Sequence, residues 1–367
     1  MRIGVIGLGA MGLGIAQVFA SVGHAVFATD AQSGARASAR DRLAQALAPR
    51  VAKGVLSVDD RAALLSRLTV VSRVEDLSPA DLVIEAVVER LAVKQAVFGV
   101  LEPLLSPDAV LATNTSSLSV SSIAHGLSRP NRVLGLHFFN PAPVMKLVEL
   151  IPHAGTDATA MGLVRGVTEG AGKTVVTAPD RPGFIVNRCA RPYYGEGLAL
   201  LEQGRSAAEI DAAMVAAGYR LGPFALIDLI GADINLAATE GLASAMADHP
   251  RYHIFAALRA QVAKGDLGRK TGRGFVMGEA PPPSDAAAIA LRIEATLVNE
   301  AAWLLAEGGV SADDIDTAMR LGLNFPRGPF EVLAGYGREK VRETLAALEA
   351  EAPAYLKGRY APAPMFA

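Results

Sequence analysis

The chain has 367 residues, 51% of them hydrophobic and 20% charged, with a formal net charge of −2. This length predicts two or three domains, and the charge gives neither a basic nucleic-acid surface nor a polybasic membrane patch. The single cysteine, Cys189, excludes a disulfide framework and favours a reducing compartment. The first predicted strand starts at residue 2 and no apolar run reaches about 20 residues, so we expect neither signal peptide nor membrane span. The expected location is the cytoplasm.

Up to about residue 180, short apolar segments alternate with amphipathic helical segments. Strands are predicted at 3–7, 24–30, 67–72, 80–87, 109–114 and 132–138. Helical spacing is found at 33–52, 90–104 and 157–171. The strand segments are almost continuously apolar, which is typical of strands buried on both faces of a parallel sheet. The alternation predicts a doubly wound α/β domain over residues 1–180.

After residue 184 helical patterns dominate, and the proline-rich segment 277–288 predicts a linker. The segments on either side of it are similar: LEQGRSAAEIDAAM (201–214) is matched by AEGGVSADDIDTAM (306–319), and each is followed by Gly-Pro-Phe. We therefore predict a helical domain duplicated once, at 181–278 and 279–367, rather than a solenoid of short repeats. The offset between Ile210 and Ile315 is 105 residues and leads from Asn187 to Arg292.

A glycine motif follows the first predicted strand. Gly7, Gly9 and Gly12 form G-x-G-x-x-G and open a helical pattern. In such a motif the glycines permit a tight turn, a close approach of a pyrophosphate to the backbone, and close packing of helix on strand. Asp30 ends the next predicted strand. A carboxylate at this place can accept hydrogen bonds from the ribose hydroxyls of NAD and repels the 2′-phosphate of NADP. No arginine that could bind this phosphate follows before Arg36. The motif predicts NAD as cofactor; the alternative is a tight turn without a ligand.

Six segments of the chain together resemble the 3-hydroxyacyl-CoA dehydrogenase family. They are GLGAMGLGIA (7–16), EAVVERLAVK (85–94), NTSSLSVSSIA (114–124), GLHFFNPAPVMKLVEL (135–150), PGFIVNR (182–188) and GRKTGRGF (268–275). The resemblance covers nearly the whole chain and implies a Rossmann-like sheet domain followed by tandem all-α domains of the 6-phosphogluconate-dehydrogenase type. Residues 180–196 and the duplication most resemble the form found in phenylacetate degradation, which is thought to act on 3-hydroxyadipyl-CoA.

The resemblance also implies the site residues. His137 matches the catalytic histidine, Glu149 its acidic partner, and Ser116 and Asn187 the polar substrate contacts. Because Arg292 stands where Asn187 would repeat, the resemblance implies that the second copy carries no active site. Besides the turn glycines, the implied cofactor contacts are Met11, Asp30, Val87, Val88, Glu89, Lys94, Ser116, Asn140 and Lys270, and no metal is implied. From the residues alone, other interpretations stay open. Segment 114–117 suits a strand end and helix N-cap, Glu89 and Lys94 suit a solvated charge pair, and Asn187 suits a helix cap.

These residues can oxidise a secondary alcohol. NAD takes a hydride from carbon, and a histidine, which titrates near neutral pH, takes the proton from oxygen. A carboxylate on the other ring nitrogen fixes the tautomer and stabilises the imidazolium. Because Glu149 lies 12 residues beyond His137, it must come from a neighbouring strand or loop. We therefore expect an NAD-dependent L-3-hydroxyacyl-CoA dehydrogenase of β-oxidation or phenylacetate degradation, with its active site between the sheet domain and the first helical domain.

The CoA contacts and the rival functions are less defined. Lys53 is either a contact for a CoA phosphate or a solvated lysine, and Arg191 either meets a distal carboxylate of the acyl chain or lies on a helix surface. A gulonate-type hydroxy-acid dehydrogenase and an NAD-binding structural protein without catalysis are the alternatives. The duplication is compatible with a pseudo-symmetric monomer or a homodimer.

Overall fold

A computed structural model describes residues 1–366. They fall into two compact units, Met1–Arg181 and the remainder from Pro182, and each unit is described by itself. Among the described residues, no helix is both long enough and apolar enough to cross a bilayer.

The first unit is built on one eight-stranded sheet with the order β3-β2-β1-β4-β5-β6-β7-β8. Its strands are β1 (Arg2–Ile6), β2 (Ala25–Thr29), β3 (Leu68–Val70), β4 (Leu82–Glu85), β5 (Val110–Thr113), β6 (Val133–Phe138), β7 (Leu147–Ile151) and β8 (Thr174–Thr177). All neighbours pair in parallel except β6 and β7, which are antiparallel. The six predicted strands are confirmed as β1 to β6, whereas β7 and β8 were not predicted. The order reverses between β1 and β4, as in dinucleotide-binding folds.

Six α-helices accompany this sheet: α1 (Ala10–Ser21), α2 (Ser33–Ala52), α3 (Val58–Ser66), α4 (Leu91–Leu101), α5 (Val120–Ala124) and α6 (Ala158–Gly170). The three predicted helices are confirmed as α2, α4 and α6. Strands β4 to β7 are buried along their whole length, which explains why their sequences are almost continuously apolar. The core of this unit joins β-strand residues such as Val5 and Ile84 to helix residues such as Phe19 and Leu43.

The described residues of the second unit form helices joined by loops. Its α-helices are α7 (Val186–Cys189), α8 (Arg191–Glu202), α9 (Ala207–Ala216), α10 (Pro223–Ile230), α11 (Ala232–Ala245), α12 (Ala256–Ala263), α13 (Ala286–Ala306), α14 (Ala312–Leu323), α15 (Pro329–Tyr336) and α16 (Arg338–Glu351). Short 3₁₀ helices complete the chain at Val74–Leu77, Pro130–Arg132, Pro250–Tyr252, Arg269–Thr271, Ala354–Leu356 and Pro364–Phe366. The predicted linker has no regular structure up to Asp285, and its last three residues begin α13.

The two halves of the helical unit repeat the same local structure. Asp211 on α9 accepts hydrogen bonds from the amides of Phe224 and Ala225 at the start of α10, at 2.9 and 2.7 Å. Asp316 on α14 accepts from Phe330 and Glu331 at the start of α15, at 2.8 and 3.1 Å. Both aspartates therefore satisfy the free amides of a helix N-terminus. This repetition supports the predicted duplication, while the division into 181–278 and 279–367 stays a prediction.

The register of the repeat differs from the predicted one. Arg188 binds Glu300 at 2.7 Å, and Arg292 binds Glu196 at 2.9 Å. In each pair an arginine of one copy binds a glutamate of the other copy. The two pairs are equivalent if Arg188 corresponds to Arg292 and Glu196 to Glu300, which is an offset of 104 residues in both cases. The expectation that Arg292 repeats Asn187 is therefore wrong, because the extra residue of the second copy lies after this helix. Leu291 takes the place of Asn187, so the second copy still lacks the amide.

Candidate active site

The glycine turn between β1 and α1 shows why each glycine is needed. Gly7 has φ +93°, and a Cβ there would lie 2.5 Å from the carbonyl oxygen of Ala86. A Cβ on Gly12 would lie 1.7 Å from the carbonyl oxygen of Gly7, so only glycine lets α1 pack against the turn. A Cβ on Gly9 would meet no atom within 4 Å. The backbone of Gly9 thus borders open space at a helix N-terminus, which fits the approach of a pyrophosphate.

A cavity of about 860 Å³ opens beside this turn. Its lining includes the predicted residues Gly7, Gly9, Asp30, Val87 and Val88. The cavity lies where β1 adjoins β2 on one side and β4 on the other, at the reversal of strand order where dinucleotides bind. The volume of the cavity and its position beside the glycine turn therefore fit an NAD molecule. Met11, in the first turn of α1, is half-buried against the core.

Asp30 directly follows β2 and stabilises the loop around the cavity. Its Oδ2 accepts a hydrogen bond from the Leu8 amide at 2.6 Å, and its Oδ1 accepts one from the Gln32 amide at 2.8 Å. Arg36 also lines the cavity, and its Nη1 donates to the Asp30 carbonyl at 2.5 Å. The carboxylate therefore orders the glycine turn, in addition to the predicted contact with a ribose.

A buried charge network lies where β4 ends. Lys94 on α4 is fully buried and binds Glu85 at 2.7 Å and Glu89 at 3.2 Å. Glu85 also accepts hydrogen bonds from the Val87 amide at 2.7 Å and the Thr113 hydroxyl at 2.8 Å. The expectation of a solvated pair is wrong for Lys94, because the buried Glu85 draws its ammonium inwards. Glu85 was missed as a site residue, although it is the single charged residue of β4, whose sequence is LVIE.

Glu89 connects this network to the loop after β5. Its Oε1 accepts from the Thr115 hydroxyl at 2.6 Å and from the amides of Ser116 and Ser117 at 2.9 and 3.1 Å. Burial would raise the pKa of Glu89, but Lys94 and the hydrogen bonds from Thr115 and Ser116 lower it below the ordinary value. A carboxylate that stays ionised therefore holds the backbone around Ser116.

Segment 114–117 could, from its sequence, be a strand end and a helix N-cap, and the structure supports only the first of these. The segment does follow a strand, since β5 ends at Thr113. It does not cap a helix, because the N-cap of α5 is Ser119, whose hydroxyl accepts from the Ser122 amide at 3.2 Å. Asn114 instead accepts from the Phe138 amide on β6 at 2.8 Å. This bond ties the loop of Ser116 to the strand that carries His137.

His137 and Glu149 form a buried pair. They face each other directly across the antiparallel strands β6 and β7, and His137 Nδ1 lies 2.7 Å from Glu149 Oε2. Glu149 is fully buried, and the side chain of His137 is 9% exposed. The expectation that the partner comes from a neighbouring strand or loop is confirmed. Asn140, just beyond β6, is exposed.

The parallel strands bring these groups to one edge of the sheet. Strands β1, β4, β5 and β6 run in the same direction, so their carboxyl ends lie together. The glycine turn, the Glu85 network, the Ser116 loop and His137 follow or end these strands. Lys53 is exposed after the end of α2 and is not among the residues that line the 860 Å³ cavity.

The remaining predicted residues belong to the second unit. Asn187 is half-buried in α7, and its carbonyl oxygen accepts from Arg191 Nε at 3.0 Å. Lys270 forms an ion pair with Asp233 at 2.5 Å and is 42% exposed. Arg191 is only 8% exposed, so its placement on a helix surface is wrong: α8 is buried over almost its whole length.

Comparisons with known proteins support one family over both units. Residues 2–181 match the NAD-binding domain of 3-hydroxyacyl-CoA dehydrogenase, and residues 183–278 and 289–367 match its C-terminal domain. The 3-hydroxyadipyl-CoA dehydrogenase of Escherichia coli K12 is 34% identical over 98% of this chain and 95% of its own length. The 3-hydroxybutyryl-CoA dehydrogenase of Clostridioides difficile is 40% identical over 75% of this chain and 98% of its own length.

A solved structure extends this similarity. The 3-hydroxybutyryl-CoA dehydrogenase from Escherichia coli K12 substr. MG1655 is 33% identical, with a TM-score of 0.92, and the match covers 100% of this chain and 97% of that one. The two domain matches, the relative that covers nearly the whole chain and the solved structure all agree with the fold described above. The match to an NAD-binding domain also agrees with the cavity beside the glycine turn. The chain belongs to the 3-hydroxyacyl-CoA dehydrogenase family, with a Rossmann-like NAD-binding domain and a helical C-terminal part.

Proposed function

We propose that this NAD-dependent enzyme interconverts L-3-hydroxyacyl-CoA and 3-ketoacyl-CoA with His137 as the group that moves the proton. The observation that carries the proposal is the buried contact of 2.7 Å between His137 Nδ1 and Glu149 Oε2. NAD supplies the hydride acceptor. The chain's own task is to hold the imidazole so that Nε2 exchanges a proton with the 3-oxygen of the substrate.

The Glu149 carboxylate suits this task because it accepts a hydrogen bond from a protonated Nδ1. That tautomer leaves a lone pair on Nε2, which makes this nitrogen a base. When Nε2 takes the proton from the alcohol, the ring becomes an imidazolium beside a fully buried carboxylate. The negative charge stabilises it there. In the reverse direction the same imidazolium protonates the alkoxide.

We propose that Ser116 and Asn187 donate hydrogen bonds to the substrate. Each such donor contributes typically about 2–4 kcal/mol to lowering the barrier. The five hydrogen bonds that Glu89 accepts from Thr115, Ser116 and Ser117 support this assignment for Ser116, because they fix the loop before a substrate arrives. For Asn187, Lys270 and the other predicted cofactor contacts, the support is their match to the family's motifs.

The next question is which acyl chain the substrate carries. One relative named above is a 3-hydroxyadipyl-CoA dehydrogenase and covers the duplicated helical part as well. We therefore propose a dicarboxylic acyl-CoA of aromatic breakdown as the second candidate substrate, beside the straight-chain substrates of β-oxidation. Steady-state kinetics with 3-hydroxybutyryl-CoA, 3-hydroxyhexanoyl-CoA and 3-hydroxyadipyl-CoA would separate the two. Preference for free gulonate would favour the gulonate-type alternative, and absence of turnover on every substrate would favour the NAD-binding protein without catalysis.

We further propose that the two copies of the helical domain pack against each other within one chain. The reciprocal ion pairs of Arg188 with Glu300 and of Arg292 with Glu196 support this proposal. A pseudo-symmetric monomer is then expected at micromolar concentration in sedimentation velocity. A stable species of twice the mass would favour the homodimer instead.

A further inference from the structure

The carbonyl of Leu8 lies in the middle of the glycine turn and needs a hydrogen-bond donor. Leu8 stands between Gly7 and Gly9 and is fully buried, so water cannot satisfy its carbonyl oxygen. The first helical hydrogen bond of α1 goes to the next carbonyl, from the Leu13 amide to Gly9 at 3.0 Å. A buried carbonyl without a donor would leave the cost of its desolvation uncompensated. The donor therefore has to come from another element.

Arg42 on α2 supplies this donor. Its Nη2 lies 2.6 Å from the Leu8 carbonyl oxygen and 3.3 Å from the carbonyl oxygen of Ala35. Ala35 is seven residues earlier on the same helix, so the side chain extends along α2 towards its N-terminus, the usual direction for a helix side chain. Among residues 1–366, the Leu8 carbonyl accepts a hydrogen bond from Arg42 alone. The guanidinium therefore satisfies this buried carbonyl.

The hydrogen bond from Arg42 fixes the direction of the next amide. The Leu8–Gly9 peptide bond is trans, and in a trans peptide the carbonyl and the N–H point to opposite sides. With the Leu8 carbonyl turned towards Arg42, the Gly9 N–H points away from it, and Gly9 lines the cavity of about 860 Å³. This N–H donates to no acceptor among the described residues. It is thus available to a pyrophosphate oxygen at the start of α1.

Leu8 is held at both of its backbone polar groups, and only one of the two partners is neutralised. Its amide donates to Asp30 Oδ2 at 2.6 Å, while its carbonyl accepts from Arg42. The hydrogen-bond acceptors of Arg42 are neutral carbonyls, and in the part of the chain that the structure describes no carboxylate pairs with it. Its positive charge therefore stays unopposed behind the turn and adds to the attraction for a pyrophosphate at the helix N-terminus.

We propose that Arg42 is a positioning residue of the NAD site, which holds the Leu8–Gly9 peptide with its N–H facing the cavity. Without Arg42 the Leu8 carbonyl has no donor, and it reaches water only if the peptide rotates towards the cavity. That rotation puts a carbonyl oxygen in place of the Gly9 N–H, where it repels the pyrophosphate. Arg42 is not among the described residues that line the cavity, so it acts through the turn and its charge, not by contact with NAD.

Arg61 provides a matched control for the test. This arginine of α3 also donates from Nη2 to a carbonyl oxygen of α2, that of Ala44, at 3.0 Å. Its Nε, like that of Arg42, is buried without a hydrogen-bond partner among the described residues. Ala44 belongs to the body of α2 and not to the glycine turn. Loss of Arg61 therefore removes a similar contact but leaves the turn intact, so the two variants separate positioning of the turn from general stability.

The test measures the Kd of NADH by fluorescence and of ADP-ribose by calorimetry, beside the Tm of each variant. Arg42→Met should weaken both ligands about tenfold, as expected for one lost hydrogen bond from a charged group, and should raise KM for NADH more than it lowers kcat. Arg61→Met should change both Kd values by less than about twofold. Arg42→Lys, which keeps the charge, should recover part of the affinity. An unchanged Kd of ADP-ribose in a folded Arg42→Met protein, or equal losses in the two methionine variants, would overturn the proposal.

A second measurement uses the wild-type protein and holds even if Arg42→Met does not fold. A crystal structure with bound NAD should keep Arg42 Nη2 on the Leu8 carbonyl and show the Gly9 N–H on a pyrophosphate oxygen. A Leu8 carbonyl that faces the pyrophosphate would contradict the proposal. Binding of ADP-ribose involves no transfer of hydride or proton, so failure of the proposed reaction would leave the binding readouts unaffected.

Discussion

Glu149→Gln changes the charge beside His137 while keeping the size of the side chain. In the native enzyme the carboxylate faces the ring across β6 and β7, with 2.7 Å between Oε2 and Nδ1. The substitution therefore tests whether the imidazolium formed in the reaction depends on a buried negative charge. A purely structural pair would tolerate a neutral amide of the same shape.

The expected loss of kcat follows from the distance between His137 and Glu149. With this contact the centres of the two charges are about 4 Å apart, and at an effective dielectric constant of about 20 their attraction is about 4 kcal/mol. A neutral hydrogen bond from glutamine restores about 1 kcal/mol. The remaining loss of about 3 kcal/mol corresponds to a roughly 100-fold lower kcat. If the glutamine amide donates to Nδ1, the ring adopts the wrong tautomer and the loss is larger.

The assay is NADH oxidation with acetoacetyl-CoA, together with the Kd of NADH and the Tm of each variant. Glu149→Gln should lower kcat strongly and leave the Kd of NADH near the wild-type value. Glu169→Gln is the matched control, because Glu169 lies on the surface of the same unit in an exposed ion pair with Arg165. A kcat within about threefold of the wild-type value, in a folded Glu149→Gln protein, would refute the reasoning.

Three further predictions follow from other parts of the molecule. Asp30→Ala should weaken NAD binding and narrow the preference for NAD over NADP, because it removes the carboxylate that repels a 2′-phosphate; unchanged ratios of kcat/KM would argue against that role. Lys94→Met should lower the free energy of urea unfolding by about 3–5 kcal/mol, since it leaves Glu85 buried without its cation, whereas Lys53→Met on the surface should change it little. Burial raises the pKa of Asp211 to about 6, so the folded state holds this proton more tightly than the unfolded chain. Unfolding free energy should thus fall by up to about 3 kcal/mol from pH 4 to pH 6, and Asp211→Asn should flatten that slope in urea titrations.

Much of the sheet was predictable because local sequence and burial agree there. The strands β1 to β6 are short apolar segments between helical patterns, and their parallel order follows from that alternation. The glycine turn was predictable for a steric reason that the structure makes explicit at Gly7 and Gly12. The antiparallel strand β7 was not predicted, because no helix separates it from β6 and its apolar residues merge with the histidine motif.

Side-chain burial was less predictable than strand order. The spacing of Glu89 and Lys94 predicted that these two residues pair. The Lys94 ammonium points into the protein because it also binds Glu85, which lies on β4. Arg191 has the sequence context of a surface arginine, and only the packing around α8 buries it. The register of the repeat depended on where one residue was inserted. Sequence similarity placed Arg292 opposite Asn187, and the reciprocal arginine–glutamate pairs shift this match by one residue.

The central claim is that His137 moves the proton in an NAD-dependent 3-hydroxyacyl-CoA dehydrogenase. The most direct measurement is the turnover of acetoacetyl-CoA and NADH by His137→Gln, beside the Kd of NADH from fluorescence. The account predicts that the variant folds, binds NADH like the wild-type enzyme and loses turnover by at least about 1,000-fold. Turnover near the wild-type rate in the His137→Gln enzyme would contradict it.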